Sequence, residues 1–209
     1  MNIEVYNKIK QLADKYSFAL RTQINSRCKE MQCDDNAHYL IYRVLGISDR
    51  EGNLIDLYQN KGRFLYKYAG AFLEEATINC IKHKYPDAIK TKIQNTLGHK
   101  PKTFEIDCLI GNMAHEIKWR DATTDGDHIT KEHTRVKAIQ HLGYIPIRVM
   151  FYYPQREQAK RIQETLKTLY IGVGGQYYCG KSAWEYVKVF TGIDLLDILE
   201  KIANSRGDS

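Results

Sequence analysis

The sequence predicts a mixed α/β core with helices added at both ends. Three observations carry that reading. Two short apolar runs, at about 103–110 and 113–119, are joined by Gly111-Asn112, a dipeptide that tolerates positive φ and so reads as a hairpin turn. Leu65, Ala69, Phe72, Leu73, Ala76 and Cys80 recur near the 3.6-residue period, so the segment 60–84 reads as a helix with one face on a core. IPIRVMFYY at 145–153 is a nearly unbroken apolar run halted by Pro154, as expected of a buried strand.

In chain order, residues 2–31 read as helix, with Ile3, Ile9, Leu12 and Ala13 near helical spacing. Asp34-Asp35-Asn36 offers N-caps for a second helix, AHYLIYRVLG, closed by Gly46. SDREGN at 48–53 reads as a turn, and the long helix runs from about Asn60 to Lys84, before Pro86. AIKTKIQNTL at 88–97 fits either a strand or a helical turn. The hairpin follows, then the polar stretch RDATTDGDH at 120–128, then a helix from about Thr130 to Leu142 ending at Gly143. After the 145–153 strand comes a charged helix, QREQAKRIQETLKTL. IGVGGQYYCG reads as a Gly-rich connection, and two closing helices take Ser182 and Thr191 as caps. The organisation expected is one domain over 1–209: N-terminal helices 1–59, a core at about 60–153, and C-terminal helices 154–209.

With 209 residues, 43% of them hydrophobic and 27% charged, the chain can bury a core and does not have the composition of a disordered protein. A net charge of +6 permits a polyanionic partner without requiring one. Five cysteines without a Cys-x-x-Cys pair, and a beginning with no long apolar run, suit a reduced cytoplasmic chain. No stretch approaches the roughly 20 apolar residues of a membrane span.

The chemistry concentrates in FEIDCLIGNMAHEIKWR, residues 104–120. Side chains alternate along a strand. Strict alternation sets Phe104, Ile106, Cys108 and Ile110 on one face and Glu105, Asp107 and Leu109 on the other. In the next strand His115, Ile117 and Trp119 oppose Ala114, Glu116, Lys118 and Arg120. Asp107, Glu116 and Lys118 then gather on one side of the sheet, with Glu105 nearby. Two adjacent carboxylates repel unless a cation joins them. A hard divalent ion such as Mg²⁺ is held by one or two carboxylates plus substrate phosphate. A lysine two residues beyond the second acid points the same way and can offset charge on a phosphoryl group. The competing reading is a solvated strand face with a surface Glu–Lys pair.

Asp107, eight intervening residues, then Glu116-Ile117-Lys118 resembles the PD-(D/E)xK nuclease signature, with Ile106 in place of its proline. The order helix, three-stranded meander, helix, strand over about 60–153 resembles that family's core. Gly70-Ala-Phe-Leu73-Glu74 matches the setting of an added glutamate on the preceding helix, and Glu75 competes with Glu74 for the role. The whole, EIKWRDATTDGDHITKEHTR above all, resembles a type II restriction endonuclease of the ApaLI-like group.

The resemblance implies a restriction-endonuclease-like mixed sheet core flanked by helices. It implies Mg²⁺ held by Asp107, Glu116 and the Ile117 carbonyl, with Lys118 orienting water and Glu74 or Glu75 completing the site. It also implies double-strand cleavage of DNA to 5′-phosphate and 3′-hydroxyl ends, a homodimer in a prokaryotic cytoplasm with no membrane partner, and a GTGCAC target. The candidates for DNA contact are Arg120, Asp121, Thr123, Thr124, Asp127, His128, Lys131, His133 and Arg135, since Arg and Lys read guanine edges and Asp accepts from cytosine. Gln140-x₃-Tyr144 echoes RecB-like nucleases, or Tyr144 simply opens a strand. A junction resolvase or repair nuclease on the same core, and a DNA-binding protein without catalysis, are the alternatives.

Overall fold

The structure is a computed structural model that describes residues 2–98, 100–120 and 126–207, with side chains of the last span from 129 onward. Among the described residues, seven helices and five strands follow the order α1 Ile3–Gln32, α2 Tyr39–Val44, α3 Asp49–Lys84, β1 Ile89–Gln94, β2 Thr103–Ile110, β3 Met113–Arg120, α4 Gly126–His141, β4 Ile145–Tyr152, α5 Glu157–Gly172, β5 Gln176–Cys179, α6 Lys181–Thr191 and α7 Leu195–Gly207. The expected mixed α/β architecture with helices at both ends is present. The chain forms two compact units: residues 10–72, which hold helices and the turns between them, and residues 1–9 with 73–209, which hold the sheet.

The sheet runs β1-β2-β3-β4-β5. The first three strands form an antiparallel meander, and β4 and β5 add in parallel. The meander follows a helix and precedes another helix and a strand, the order expected from the sequence. Parallel pairing of β3 with β4 requires a crossover, which α4 supplies. β4 is buried at every residue from Pro146 to Phe151, as its apolar run predicts for a central strand.

Four expectations are corrected. SDREGN is not a turn but the first turns of α3, where Ser48 Oγ accepts from the Glu51 N–H at 3.3 Å and caps the helix. The apolar stripe of α3 is buried at Leu73, Ala76 and Cys80, whereas Leu65 is 48% exposed. IGVGGQYYCG contains β5, a strand too short to announce itself by pattern. Gly175 precedes it because a Cβ there would collide with the Pro146 and Tyr170 carbonyls. Ser182 and Thr191 do not cap: Ser182 Oγ bonds both polar backbone atoms of Cys179, and Thr191 Oγ1 donates to the Val187 carbonyl. Asp194 Oδ1 accepts the Asp197 N–H at the start of α7 instead.

The most consequential departure is in β2. Between its pairing with Thr91 and its pairing with Ile89, β2 advances three residues, Ile106 to Leu109, while β1 advances two. This is a β-bulge, and it breaks strict alternation. Phe104, Ile106 and Leu109, predicted on opposite faces, pack in one cluster with Ala114 of β3 and Ala138 and Ile139 of α4. Cys108 and Ile110 remain on the other face. No described helix is long and apolar enough to cross a membrane.

Candidate active site

Asp107 lies within the bulge. Past the Cys108–His115 pairing, the next inward-pointing amide of β3 is satisfied by a side chain: Asp107 Oδ2 accepts the Ile117 N–H at 2.8 Å. Glu116 follows on β3, level with Arg148 of β4, and Lys118 is level with Met150. Asp107 and Glu116 are 4% and 3% exposed, against the surface expected of an ordinary strand acid. Lys118 Nζ lies 2.5 Å from Glu116 Oε1 and 4.0 Å from Asp107 Oδ2. The structure therefore brings Asp107, Glu116 and Lys118 together, and the solvated-face reading fails on burial.

Their electrostatics differ. Burial pushes the Asp107 carboxyl up to about 7, and the Glu116 charge adds to the rise, with Lys118 opposing it. Burial also acts to raise Glu116, but Lys118, Arg135 and Arg148 outweigh it and hold this carboxyl below its ordinary range. Glu116 is thus the ionised member, gripped by cations, and Asp107 the member that takes a proton readily. Lys118 stays charged, because the two acids outweigh its own burial.

Glu74 enters from α3. Its carboxylate pairs with Lys90 Nζ at 2.9 Å, and Lys90 also pairs with Glu105 at 2.8 Å. Burial acts to lower the Lys90 ammonium, but bonds to Glu105 and Glu74 outweigh it. Glu74 also contributes to the rise of Asp107. Glu105 therefore belongs to this lysine bridge and not beside Glu116, as the bulge dictates. The Glu75 carbonyl accepts from Asn79 on the same helix.

Of the residues considered for DNA contact, Asp121, Thr123 and Thr124 lie outside the described residues, as do the side chains of Asp127 and His128. Arg120 and Lys131 are exposed and His133 is half-buried. Arg135 turns inward, its side chain 14% exposed, and pairs with both Glu116 and Glu132. Gln140 donates to the Val173 carbonyl at 3.2 Å and Tyr144 packs against the core, a structural role for both.

Sequence reading missed Glu132, Arg148 and Tyr170; behind Glu116, Glu132 accepts from both of the others. It also missed a cleft of about 510 Å³ at the ends of β3 and β4, lined by Trp119, Arg120, Tyr152, Tyr153 and Arg156. Tyr152-Tyr153 and Arg156, flanking Pro154, were its only sequence signal. A larger hollow of about 830 Å³ among the helices of residues 10–72 holds only exposed acids, Asp35 and Asp49.

Neither a curated protein nor a solved structure matches the chain. The model of the ApaLI-like restriction endonucleases does, over residues 1–204. That span takes in the whole sheet and every buried acid described above, so the chain belongs to the ApaLI-like restriction endonuclease family and is a nuclease acting on DNA.

Proposed function

We propose that this chain is a type II enzyme of PD-(D/E)xK type, cutting both strands of double-stranded DNA at a specific sequence with Mg²⁺. One observation carries the reading: two buried carboxylates on adjacent strands, Asp107 and Glu116, converge on Lys118.

The donor set fits a divalent cation. Glu116 charge raises Asp107, a repulsion that a cation would relieve. No group of three His, Cys, Asp or Glu gathers among the described residues. Two carboxylates and the Ile117 carbonyl, completed by substrate phosphate and water, suit Mg²⁺ better than an ion that wants a full protein cage. When bound, the cation supplies Lewis-acid charge to a phosphoryl oxygen. Asp107 and Glu116 would hold it, with Glu74 tuning Asp107 through space.

Lys118, kept charged by its two acids, donates to the attacking water and to the phosphoryl oxygens on which charge develops. Water oxygen bonds to phosphorus as the bond to the 3′ oxygen breaks. The water gives up one proton to solvent as it attacks and the departing 3′ oxygen takes one from solvent, leaving a 5′-phosphate and a 3′-hydroxyl. Arg120, two residues beyond Lys118 on β3, and Lys131 and His133 on α4 would contact phosphate or base edges. One trio serves one strand, so a palindromic double cut calls for a homodimer. The setting is a prokaryotic cytoplasm.

The test is incubation of purified protein with a mapped plasmid in Mg²⁺ and in EDTA. Discrete, metal-dependent linear fragments are expected. Preference for branched DNA over plain duplex would move the reading to a resolvase, and no cleavage over a range of metals and salts would sink it.

A further inference from the structure

Behind Glu116 runs a buried chain of charge that the cleavage chemistry does not use. Arg135 Nη1 meets Glu116 Oε1 and also donates to Glu132 Oε1 at 3.0 Å. The other oxygen of Glu132 accepts Arg148 Nη1 at 3.3 Å and the Tyr170 hydroxyl at 3.4 Å. Glu132 and Arg148 are 3% and 1% exposed. Neither Arg135 Nε nor Arg148 Nε has a hydrogen-bond partner among the described residues. Such an arrangement is a poor way to stabilise a core, since well-packed apolar residues of like volume serve as well or better.

We propose that Glu132 is a positioning residue that divides Arg135 between two carboxylates and so leaves Glu116 open to a divalent cation. The proposal rests on the reading of Asp107 and Glu116 as cation ligands. Glu116 Oε1 is already pressed by Lys118 and Arg135. Arg135 spends part of its charge on Glu132, which Arg148 and Tyr170 pin in place from β4 and α5. Remove the Glu132 charge and Arg135 has Glu116 alone to neutralise. It then competes with the cation for the same oxygen. Partners that orient metal ligands typically matter by tenfold to a hundredfold in affinity.

The experiment is calorimetric titration of Mg²⁺ into the full chain without DNA, alongside circular dichroism of each variant. Glu132→Gln is expected to bind Mg²⁺ about tenfold to a hundredfold more weakly than the wild type. Glu132→Gln with Arg135→Met removes the competitor as well and is expected to regain most of the lost affinity, which a merely structural role would not allow. Glu132→Gln with Arg148→Met removes one charge of each sign, leaves Arg135 on Glu116, and is expected to stay weak. That variant carries the test if Glu132→Gln alone does not fold. Wild-type affinity in a folded Glu132→Gln protein, or no recovery on removing Arg135, overturns the proposal. So does loss of fold in both Glu132 variants that keep Arg135, which would make the chain of charge a stability device. If the wild type itself shows no Mg²⁺ binding that Asp107→Asn abolishes, the cation-ligand reading fails first.

Discussion

Asp107→Asn separates what a buried carboxylate costs the fold from what it gives to cleavage. Burial, with Glu116 beside it, pushes Asp107 from an ordinary 3.8 up to about 7. At 1.36 kcal/mol per tenfold change in proton affinity, that difference amounts to about 4 kcal/mol. A carboxyl whose folded value lies above its unfolded one holds extra proton in the folded state between pH 4 and 7. Stability therefore falls as pH rises through that window, and the cost is complete above 7. Asparagine keeps the volume and the acceptor for the Ile117 N–H but carries no charge. Burying its amide still costs part of what is saved, so the net gain is about 1–3 kcal/mol. For a chain of this length that is about 2–10 °C in Tm. In melts without metal, Asp107→Asn is expected to exceed the wild type by this much at pH 8, and the difference should shrink towards zero at pH 4.5. Plasmid cleavage by the variant in Mg²⁺ should fall by at least about a thousandfold. A variant that melts below the wild type at pH 8, or by an equal offset at both pH values, would refute the account of Asp107 as a strained, proton-prone acid.

Lys118→Met should cut the single-turnover rate by about a hundredfold to a thousandfold, while Mg²⁺ affinity rises because the ammonium leaves Glu116 Oε1; a rate within tenfold of wild type would contradict its role. Glu74→Gln should slow cleavage by about tenfold or more, and Glu75→Gln should slow it less. Stability should change by under about 1 kcal/mol in Glu74→Gln, since the Glu74–Lys90 pair is partly exposed; equal rate losses in the two variants would remove the distinction drawn from Asp107. Gly175→Ala should cost about 1–3 kcal/mol in denaturant unfolding, because its methyl meets two backbone carbonyls that cannot rotate away.

The local part of this protein was legible in residue order. Gly111-Asn112 fixed the hairpin, the long apolar run fixed β4, and the span from Asp107 to Lys118 put its three charged groups within one hairpin's reach. These features depend on near neighbours, and local chain geometry is enough to read them. β5 was not legible, because four residues after three glycines carry no period. The start of α3 was hidden by Gly52, which reads as a turn residue yet lies where a Cβ would strike the Tyr42 ring.

By itself the sequence determined that two acids and a lysine lie on neighbouring strands of a hairpin, with a helix before and a helix and strand after. The tertiary structure alone decided their depth and their company. A single extra residue in β2 against β1 moved Glu105 to Lys90 and set Asp107 against the β3 backbone, which no pattern of alternation can announce. Glu132 found Arg148 16 residues on and Tyr170 38 residues on. Pairings over such separations are settled by how α4 and α5 pack on the sheet, and they set Arg148 among the cations that hold Glu116 ionised, whereas burial first and Glu116 second raise Asp107.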